Sequence, residues 1–309
     1  MGNTTKKICV AGSLNVDLTL RLERFHQPGE TVIAKSIHTY AGGKGGNQAV
    51  AVAKLGHPVM MVGMLGEDDN GRFYRDTLKK NGVDAECVGS APNTPSGTAV
   101  IEVDDRGENR IAIIPGTNGL VNNAYMDSVM ERMLTCDIFM LQYEIDLATD
   151  AYLAKILHDA GKQLILDPAP AAPAPDGLYS NINFITPNAT ELATLTGAHV
   201  DSEEEVVRAA HMLLNRGVGA VIAKLGPKGC IYVDKDTVVP VPGFCVETVD
   251  TTAAGDSFNA GFAVALAEGM QIRDALRLAN AVGALSTTGA GAQSSMPTRA
   301  QVDAILSRS

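Results

Sequence analysis

Hydrophobic and polar positions follow two patterns along the chain of 309 residues. In the first, short uninterrupted apolar runs such as residues 8–11 alternate with longer amphipathic segments, which is typical of buried parallel strands joined by helices. The predicted strands are 8–11, 59–65, 137–141, 163–167, 183–185 and 220–224, and the predicted helices are 47–55, 71–81, 147–160 and 203–215. This order predicts an α/β fold with a doubly wound, mostly parallel central sheet flanked by helices.

The second pattern is strict alternation of apolar and polar residues, as in Leu14, Val16, Leu18, Leu20 and Leu22, which predicts strands with one polar face. Such extended segments interrupt the strand–helix order at 14–22, 31–40, 98–103 and 110–114. Turn-forming residues 104–109 separate the last two, as in a hairpin. We therefore predict a small four-stranded β lid. The predicted domains are an α/β domain (1–13, 41–97 and 115–309) and a discontinuous lid (14–40 and 98–114).

An exposed apolar face on the lid is expected at Val32, Ile37, Val100 and Ile113. Such faces are usually covered by a partner, and a second copy of the chain is the simplest one. The pattern thus predicts a homodimer through the lid sheets.

Composition narrows the range of partners. The formal charge is −10, from 25 basic and 35 acidic residues without a basic run, which argues against nucleic acid. No apolar run approaches the ~18 residues of a membrane span, and the polar residues 1–7 do not resemble a signal peptide. Five scattered cysteines without metal-binding spacing suggest a reducing compartment. We expect a cytoplasmic protein that acts on small molecules.

Residues 250–258 carry the most distinctive chemistry. They are predicted to follow a strand at 244–249 and to begin an apolar helix. Small residues at a helix start leave backbone N–H groups available to an anion. Asp256 among these donors suits a general base that deprotonates a hydroxyl while the donors hold a phosphoryl group. The simpler alternative is that Asp250 or Asp256 only caps the helix.

A glycine-rich stretch at residues 42–46 is predicted to be a flexible turn before a helix. It would let a polar ligand approach the backbone, with Lys44 and Asn47 as directional groups, although a plain loop would look the same. It is not a P-loop, because Lys44 is followed by Gly45 rather than by Ser or Thr. Asn15 and Asp17, on one face of a predicted strand, could bind adjacent hydroxyl groups.

The stretches 42–49 and 250–258 together resemble the two signatures of the ribokinase-type (phosphofructokinase B) carbohydrate kinases. The resemblance extends over essentially the whole chain. It implies ATP-dependent phosphorylation of the 5-hydroxyl of D-ribose, with Asp256 as base and the N–H groups of Ala253, Ala254 and Gly255 as an anion hole. The alternatives are a kinase for deoxyribose, a ketohexose or a nucleoside, or a catalytically silent sugar-binding regulator.

The resemblance also implies the binding residues. The sugar contacts would be Asn15, Asp17, Gly43, Lys44, Asn47, Glu144 and Asp256. The ATP contacts would be Asn188, Lys224, Leu225, Gly226, Pro227, Lys228, Gly229, Gly255 and Asn280. Mg²⁺ would be held through water by Glu191, and K⁺ by Asp250, Thr252, Ser286, Gly289, Gly291 and Ser295.

Some positions have an additional interpretation or depart from the family pattern. Asn188 and Glu191 have the spacing of a capping box, which is compatible with the ligand roles. Lys224 stands where the family usually has Thr, Asp167 where it has Asn, and Asn280 where ribokinases commonly have His.

Overall fold

The computed structural model describes residues 6–175 and 177–308, so the predicted boundary segment 1–5 lies outside the described residues. The strands are β1 Ile8–Ala11, β2 Asn15–Arg21, β3 Ser36–Gly42, β4 Val59–Gly66, β5 Asp84–Ala91, β6 Gly97–Val103, β7 Asn109–Ile114, β8 Ile138–Gln142, β9 Gln163–Asp167, β10 Phe184–Ile185, β11 Ala220–Lys224, β12 Cys230–Val233 and β13 Val238–Val241. The α-helices are α1 Lys44–Lys54, α2 Asp69–Lys80, α3 Asn123–Met133, α4 Leu147–Asp159, α5 Ala189–Thr196, α6 Glu203–Leu214, α7 Ala254–Ala267, α8 Ile272–Ser286, α9 Ala292–Ser295 and α10 Arg299–Leu306.

Within the described residues, nine strands form the central sheet in the order β13-β12-β11-β10-β9-β8-β1-β4-β5. The strands from β5 to β11 are parallel, and β12 and β13 are antiparallel. The chain builds the sheet outward from β1 through β4 and then returns to β8 on its other side. A ligand crevice is expected where the strand order reverses, outside the carboxyl ends of β1 and β8.

Side-chain alternation along the buried strands divides the core into two layers. Ile8 and Val10 of β1 lie in one apolar cluster together with residues of α1, α7 and α8. Cys9 and Ala11 lie in the other, together with residues of α4 and α6. Because β1 is buried on both faces, its sequence is a continuous apolar run rather than an alternating one. The predicted α/β class is confirmed.

The four interrupting segments form a separate sheet in the order β3-β2-β6-β7. β2 pairs antiparallel with β3 and parallel with β6, and β6 forms the predicted hairpin with β7. The four-stranded sheet was correctly predicted, but β3 begins at Ser36 rather than at residue 31 and continues to Gly42. The division into domains stays a prediction.

The predicted single apolar face is wrong, because the strand register puts Ile37 on one face of this sheet, in line with Leu20 and Arg110, and puts Ile111 and Ile113 on the other face. Large fractions of Ile37, Ile113 and Ile111 are exposed (60%, 57% and 56%), whereas Val32 and Val100 are half-buried. Among the described residues, no helix combines the length and the apolar character needed to cross a bilayer.

Candidate active site

The start of α7 is built to receive an anion. Its N-cap residue, Ala253, has a left-handed backbone (φ 58°), and its side chain makes no capping hydrogen bond. A non-glycine residue in this conformation is strained and persists where the surrounding structure requires it. The Ala254 N–H donates to the Thr251 carbonyl oxygen (3.2 Å), and the N–H groups that follow, those of Gly255 and Asp256, are directed out of the helix end with the positive end of the helix dipole behind them.

The predicted strand before this helix is wrong. Residues 244–249 are irregular and largely exposed. Although the segment is partly apolar, its hydrogen bonds do not form a ladder. It is instead attached through the N–H groups of Val249 and Asp250, which both donate to the carbonyl oxygen of Thr287 (2.8 and 3.1 Å).

Asp256 lies in the first turn of α7 and is only 4% exposed. Its carboxylate accepts hydrogen bonds from Asn47 Nδ2 (3.0 Å) and Gln48 Nε2 (3.2 Å), both on α1. Burial raises its pKa to about 6, in spite of the opposing charge of Lys44. A carboxylate of this kind is ionised at neutral pH but is much more basic than an ordinary Asp, which suits a general base.

The start of α1 differs from the predicted flexible turn. Lys44, Gly45 and Gly46 already belong to the helix, and Gly43 is its N-cap at φ 80°. A Cβ on Gly43 would lie 2.7 Å from Asn15 N, and one on Gly45 would lie 2.8 Å from Gly12 C. These glycines therefore let the helix start pack directly against the end of β1. Close packing, rather than flexibility, explains the motif.

Residues at the carboxyl ends of β1 and β8 complete the sugar side of the site. Glu144 accepts hydrogen bonds from the Lys44 N–H (2.9 Å) and from Ser13 Oγ (2.5 Å). Asn15 accepts a hydrogen bond from Asn118 Nδ2 (2.7 Å). Burial, together with the charge of Glu144, raises the pKa of Asp17 to about 7. The predicted sugar residues thus surround one cleft at the switch point, near Asp256.

A buried charge cluster joins the sugar side to the nucleotide side. Asp167, at the end of β9, is 2% exposed and accepts from Lys224 Nζ (3.0 Å) and Gln48 Nε2 (3.3 Å). Lys44 Nζ lies 3.9 Å from the same carboxylate. Burial alone would raise the pKa of Asp167, but Lys224 and Lys44 hold it below its usual value.

The predicted nucleotide residues line the adjacent strand ends. Asn188 and Glu191 form the expected capping box at the start of α5. Backbone pairing between Asn188 and Lys224 brings this motif beside β11. The loop after β11 contains a 3₁₀ turn at Gly226–Lys228. Asn280 on α8 is buried and donates to the carbonyl oxygens of Val241 and Pro242 (both 3.2 Å), so it fastens the neighbouring loop.

The predicted potassium residues come from two loops that meet. Asp250 Oδ1 accepts from the N–H and the hydroxyl of Thr252 (2.9 and 2.6 Å), and Oδ2 accepts from the Gly291 N–H (2.9 Å). Ser286 ends α8, and Ser295 Oγ donates to the Gly291 carbonyl oxygen (2.6 Å). A carboxylate and carbonyl oxygens near the negative end of a helix form a hard oxygen donor set, which fits a monovalent cation.

Mg²⁺ would have few direct ligands from the protein. In the part of the chain that the structure describes, no group of three or more His, Cys, Asp or Glu residues could hold a metal. The carboxylate oxygens of Glu191 accept hydrogen bonds from the backbone N–H and side-chain amide of Asn188 (2.7 and 2.8 Å). This arrangement fits Mg²⁺ held mainly by water and phosphate, which is the usual preference of that ion.

Two polar residues of the cleft, Ser13 and Asn118, had no sequence motif to mark them, and a third, Gln48, lies within the signature 42–49 but was not predicted as a site residue. Gln48 bridges Asp256, Asp167 and Gln142, whose Nε2 donates to Gln48 Oε1 (2.8 Å). Asn118 also accepts a hydrogen bond from the Leu14 N–H (2.9 Å). The turn-rich segment 116–119 after β7 was the only available signal for Asn118.

Comparison with known proteins agrees with this geometry. The model of the pfkB family of carbohydrate kinases matches residues 5–299. The chain is 39% identical over 302 residues to a ribokinase of Bacillus subtilis, covering 98% of this chain and 100% of the relative. It is 36% identical over 305 residues to a deoxyribokinase of Salmonella typhi, covering 97% and 98%.

Solved structures give the same result. Arabidopsis thaliana ribokinase complexed with ribose and ATP superposes with a TM-score of 0.94 at 36% identity, over 98% of this chain and 99% of that one. Thermotoga maritima ribokinase gives a TM-score of 0.91 at 39% identity, with the same coverage. The chain described here belongs to the pfkB family of carbohydrate kinases.

Proposed function

We propose that this protein transfers the γ-phosphoryl group of ATP to the 5-hydroxyl of D-ribose, giving ribose 5-phosphate and ADP. The observation that carries the proposal is the buried carboxylate of Asp256 in the first turn of α7, at a helix N-terminus without a side-chain cap, which suits a phosphoryl group. A site that only bound a phosphate would gain nothing from a negative charge at that point. A base beside an anion hole is instead what phosphoryl transfer to a hydroxyl requires.

In the proposed reaction, Asp256 takes the proton of the sugar hydroxyl as its oxygen forms a bond to the γ-phosphorus. The bond from that phosphorus to the bridging oxygen breaks, and the electron pair leaves with ADP. The N–H groups of Ala253, Ala254 and Gly255 would stabilise the charge on the transferred group, with the Ala254 N–H shared between that group and the Thr251 carbonyl oxygen (3.2 Å). Because the reaction needs positioning and charge neutralisation rather than covalent help, this set of groups is sufficient.

The sugar would be held by Asn15, Asp17, Gly43, Lys44, Asn47 and Glu144, with Asp256 at its reacting end. Binding of both ligands by this fold is supported by a relative, since ribokinase from Arabidopsis has been solved with ribose and ATP. ATP would lie along the ends of β10 and β11, against Asn188, the loop Lys224–Leu225–Gly226–Pro227–Lys228–Gly229, Gly255 and Asn280.

We also propose Mg²⁺ and K⁺ as cofactors. Mg²⁺ would be held by the phosphates and through water by Glu191, and when bound it would neutralise phosphate charge. K⁺ would be held by oxygen atoms of Asp250, Thr252, Ser286, Gly289, Gly291 and Ser295, beside the anion hole. If so, activity should rise when K⁺ is added to a Tris buffer at fixed Mg²⁺, and a flat response would contradict that site.

The lid sheets are proposed to join two copies, and the exposed isoleucines 111 and 113, which share one face of the sheet, support this arrangement. Light scattering would test it, with a dimer as the expected result. We also propose that the protein works in the reducing cytoplasm, which the free thiols Cys9, Cys87, Cys136 and Cys230, buried in the interior, support.

The experiment that tests the function is an ADP-release assay with ribose, 2-deoxyribose, fructose and adenosine as acceptors. We expect the highest kcat/KM with ribose. Deoxyribose is the main alternative because deoxyribokinases are among the relatives, at 36% identity. A higher kcat/KM for another acceptor would replace ribose as the substrate, and no turnover with any acceptor would favour a catalytically silent regulator.

A further inference from the structure

Lys224 combines burial, an acidic partner and nearness to the anion hole. It is the last residue of β11, and its side chain is only 12% exposed. Its ammonium group donates to Asp167 Oδ1 at 3.0 Å. A Cβ placed on Gly255 would lie 3.3 Å from Lys224 Nζ, so the ammonium also lies against the first turn of α7. The side chain therefore points into the reacting region and not along the exposed loop that follows β11.

The charge balance of the cleft shows why a cation is needed there. Carboxylates surround the cleft on both the sugar side and the nucleotide side, and Lys44 and Lys224 are the ammonium groups that interact with them. Lys44 begins α1 and interacts with Asp256, Asp167 and Glu144, so it lies between the sugar side and Asp167. A nucleotide would bring several more negative charges to the nucleotide side. Lys224 is placed to meet these charges, since its backbone N–H is anchored to Pro187 O (2.8 Å) beside Asn188.

A purely structural role for the ion pair explains less of what is observed. Buried ion pairs contribute little net stability, because desolvation offsets their attraction. An ion pair with no further purpose also has no reason to place its ammonium group against a helix N-terminus, which repels positive charge. The placement becomes favourable when a polyanion lies between the ammonium group and the helix end.

We propose that Lys224 is a further catalytic residue, whose ammonium group contacts the β- and γ-phosphates during transfer, and that Asp167 is the positioning residue that holds it there. This inference rests on the proposed function, because it assigns a role within the same reaction. Lys224 exchanges no proton in that role: the hydroxyl proton goes to Asp256, and the electron pair of the broken bond leaves with ADP. Asp167 holds the ammonium group in place, since Lys224 can donate to Asp167 and to phosphate oxygens simultaneously.

The test compares nucleotides that differ only in phosphate number. Calorimetric titration with adenosine, AMP, ADP and a non-hydrolysable ATP analogue would be carried out on wild type, Lys224→Met and Lys224→Arg. Met keeps the length and the apolar stem of Lys without its charge, and Arg keeps the charge. We expect Lys224→Met to bind adenosine and AMP as wild type does and to lose affinity for ADP, with a larger loss, about tenfold or more, for the ATP analogue. Lys224→Arg should recover most of that loss.

Turnover supplies the second measurement. Lys224→Met should lower kcat by about 10²-fold, as for loss of one donor to the developing charge, while KM for ribose stays unchanged. Asp167→Asn should lower kcat without weakening the ATP analogue, because it removes a negative charge from the site. When Asp167→Asn is added to Lys224→Met, kcat should not fall further, since no ammonium group remains to be positioned.

Several results would overturn the proposal. Equal affinity losses for adenosine and for the ATP analogue would show that Lys224 only maintains the structure. A kcat close to that of wild type in Lys224→Met would remove it from the reaction, and multiplying losses in the double variant would refute the positioning role of Asp167. If Lys224→Met does not fold, Lys224→Arg and the charge-free double variant answer the same questions. If wild type phosphorylates no sugar, the proposed function fails, but the titrations still decide whether Lys224 contacts phosphates.

Discussion

The site lies between two helix starts that are built alike but used differently. α1 and α7 both begin after an N-cap residue at positive φ, Gly43 at 80° and Ala253 at 58°, and neither cap makes a side-chain hydrogen bond. At α1 the first N–H, that of Lys44, donates to Glu144, a fixed carboxylate of the protein (2.9 Å). At α7 no such carboxylate caps the helix. The positive end of α1 is thus neutralised internally and becomes part of a rigid sugar site, whereas that of α7 is left for a mobile anion.

The largest effect is expected at α7, where Asp256→Asn removes the proposed base. The substitution should lower kcat by about 10²–10⁴-fold, the usual contribution of a general base. Affinities for ribose and ATP should change much less than kcat, because the amide has the same shape and its oxygen still accepts one of the two hydrogen bonds from Asn47 and Gln48. Stopped-flow turnover and calorimetric titration would measure the two quantities. Near-normal turnover would remove Asp256 from the role of base.

The same residue predicts the pH profile. Its pKa lies at about 6 in the folded protein, above the ordinary value of 3.8. Because the base must be ionised, wild-type kcat/KM should fall as the pH is lowered through about 6. The sign for stability is the opposite: protonation stabilises the folded state, and this contribution is fully present below pH 3.8 and is lost as the pH rises through about 6. Asp256→Asn should therefore lose the limb near pH 6, while the contribution of the sugar contact Asp17, whose pKa is about 7, should remain.

At the start of α1, Gly43→Ala should have the largest effect on stability. The new methyl group would meet Asn15 N at 2.7 Å, and the backbone is at φ +80°. We expect the free energy of unfolding to fall by about 2–3 kcal/mol, from backbone strain and steric overlap combined. Gly56→Ala is the matched control, because Gly56 has the same φ of +80° with nothing within 4 Å. Equal losses in urea denaturation would contradict the close-packing explanation.

These glycines also show where prediction from sequence stops. The continuous apolar run of β1 and the alternation in β2 report burial directly, so both sheets were predicted from the pattern. Gly45 resembled a loop residue because sequence gives the propensity of a residue and not its neighbours. Only the folded chain shows that Gly45 is helical and pressed against Gly12 and Ser13. The opposite error occurred at 244–249, which is partly apolar yet exposed and pairs with no strand of the described chain.

The candidate site was also predicted only in part, because the sequence shows the composition of a stretch but not the residues that pack against it. Lys44 lies in a glycine-rich stretch and Asp256 in a stretch of small residues, and the distinctive composition of each allowed their chemistry to be predicted from the sequence. Gln48 follows the same motif, yet its bridge between Asp256 and Asp167 depends on α1 and α7 packing together with β9. The antiparallel edge strands β12 and β13 and the edge strand β5 were also missed, because Asp84–Ala91 mixes polar and apolar residues without a regular period.

Glu144→Gln would remove the negative charge that neutralises the positive end of α1. The amide keeps one acceptor oxygen for Ser13 and the Lys44 N–H but loses the charge, and charge-assisted hydrogen bonds contribute about 1.5–3 kcal/mol. We expect KM for ribose to rise by about tenfold at nearly unchanged kcat, and the pKa of Asp17 to fall because the neighbouring negative charge is gone. Steady-state kinetics would measure the first effect.

Glu205→Gln provides the control for that prediction, since Glu205 also serves a helix start, in the capping box of α6. Its loss should lower stability by about 0.3–1 kcal/mol, the usual effect of a charge at a helix terminus, and leave KM for ribose unchanged. If both variants raised KM equally, the effect would be general destabilisation and Glu144 would have no special role.

The smallest effect is expected from Ala253→Gly, which relaxes the strained cap of α7 without removing a functional group. Glycine adopts φ 58° without the steric cost that Ala bears, but it also gains freedom in the unfolded state, so the free energy of unfolding should rise by less than about 1 kcal/mol. Asn93→Gly is the matched control, because Asn93 is likewise a non-glycine residue at positive φ (82°), on an exposed loop. Both variants should be slightly more stable in thermal denaturation, but only Ala253→Gly should lower kcat, by a few-fold, because its N–H groups are held less rigidly toward the phosphoryl group. An unchanged kcat would mean that the strain at Ala253 is not needed to organise the anion hole, and the contrast between the two helix starts would then rest on Glu144 alone.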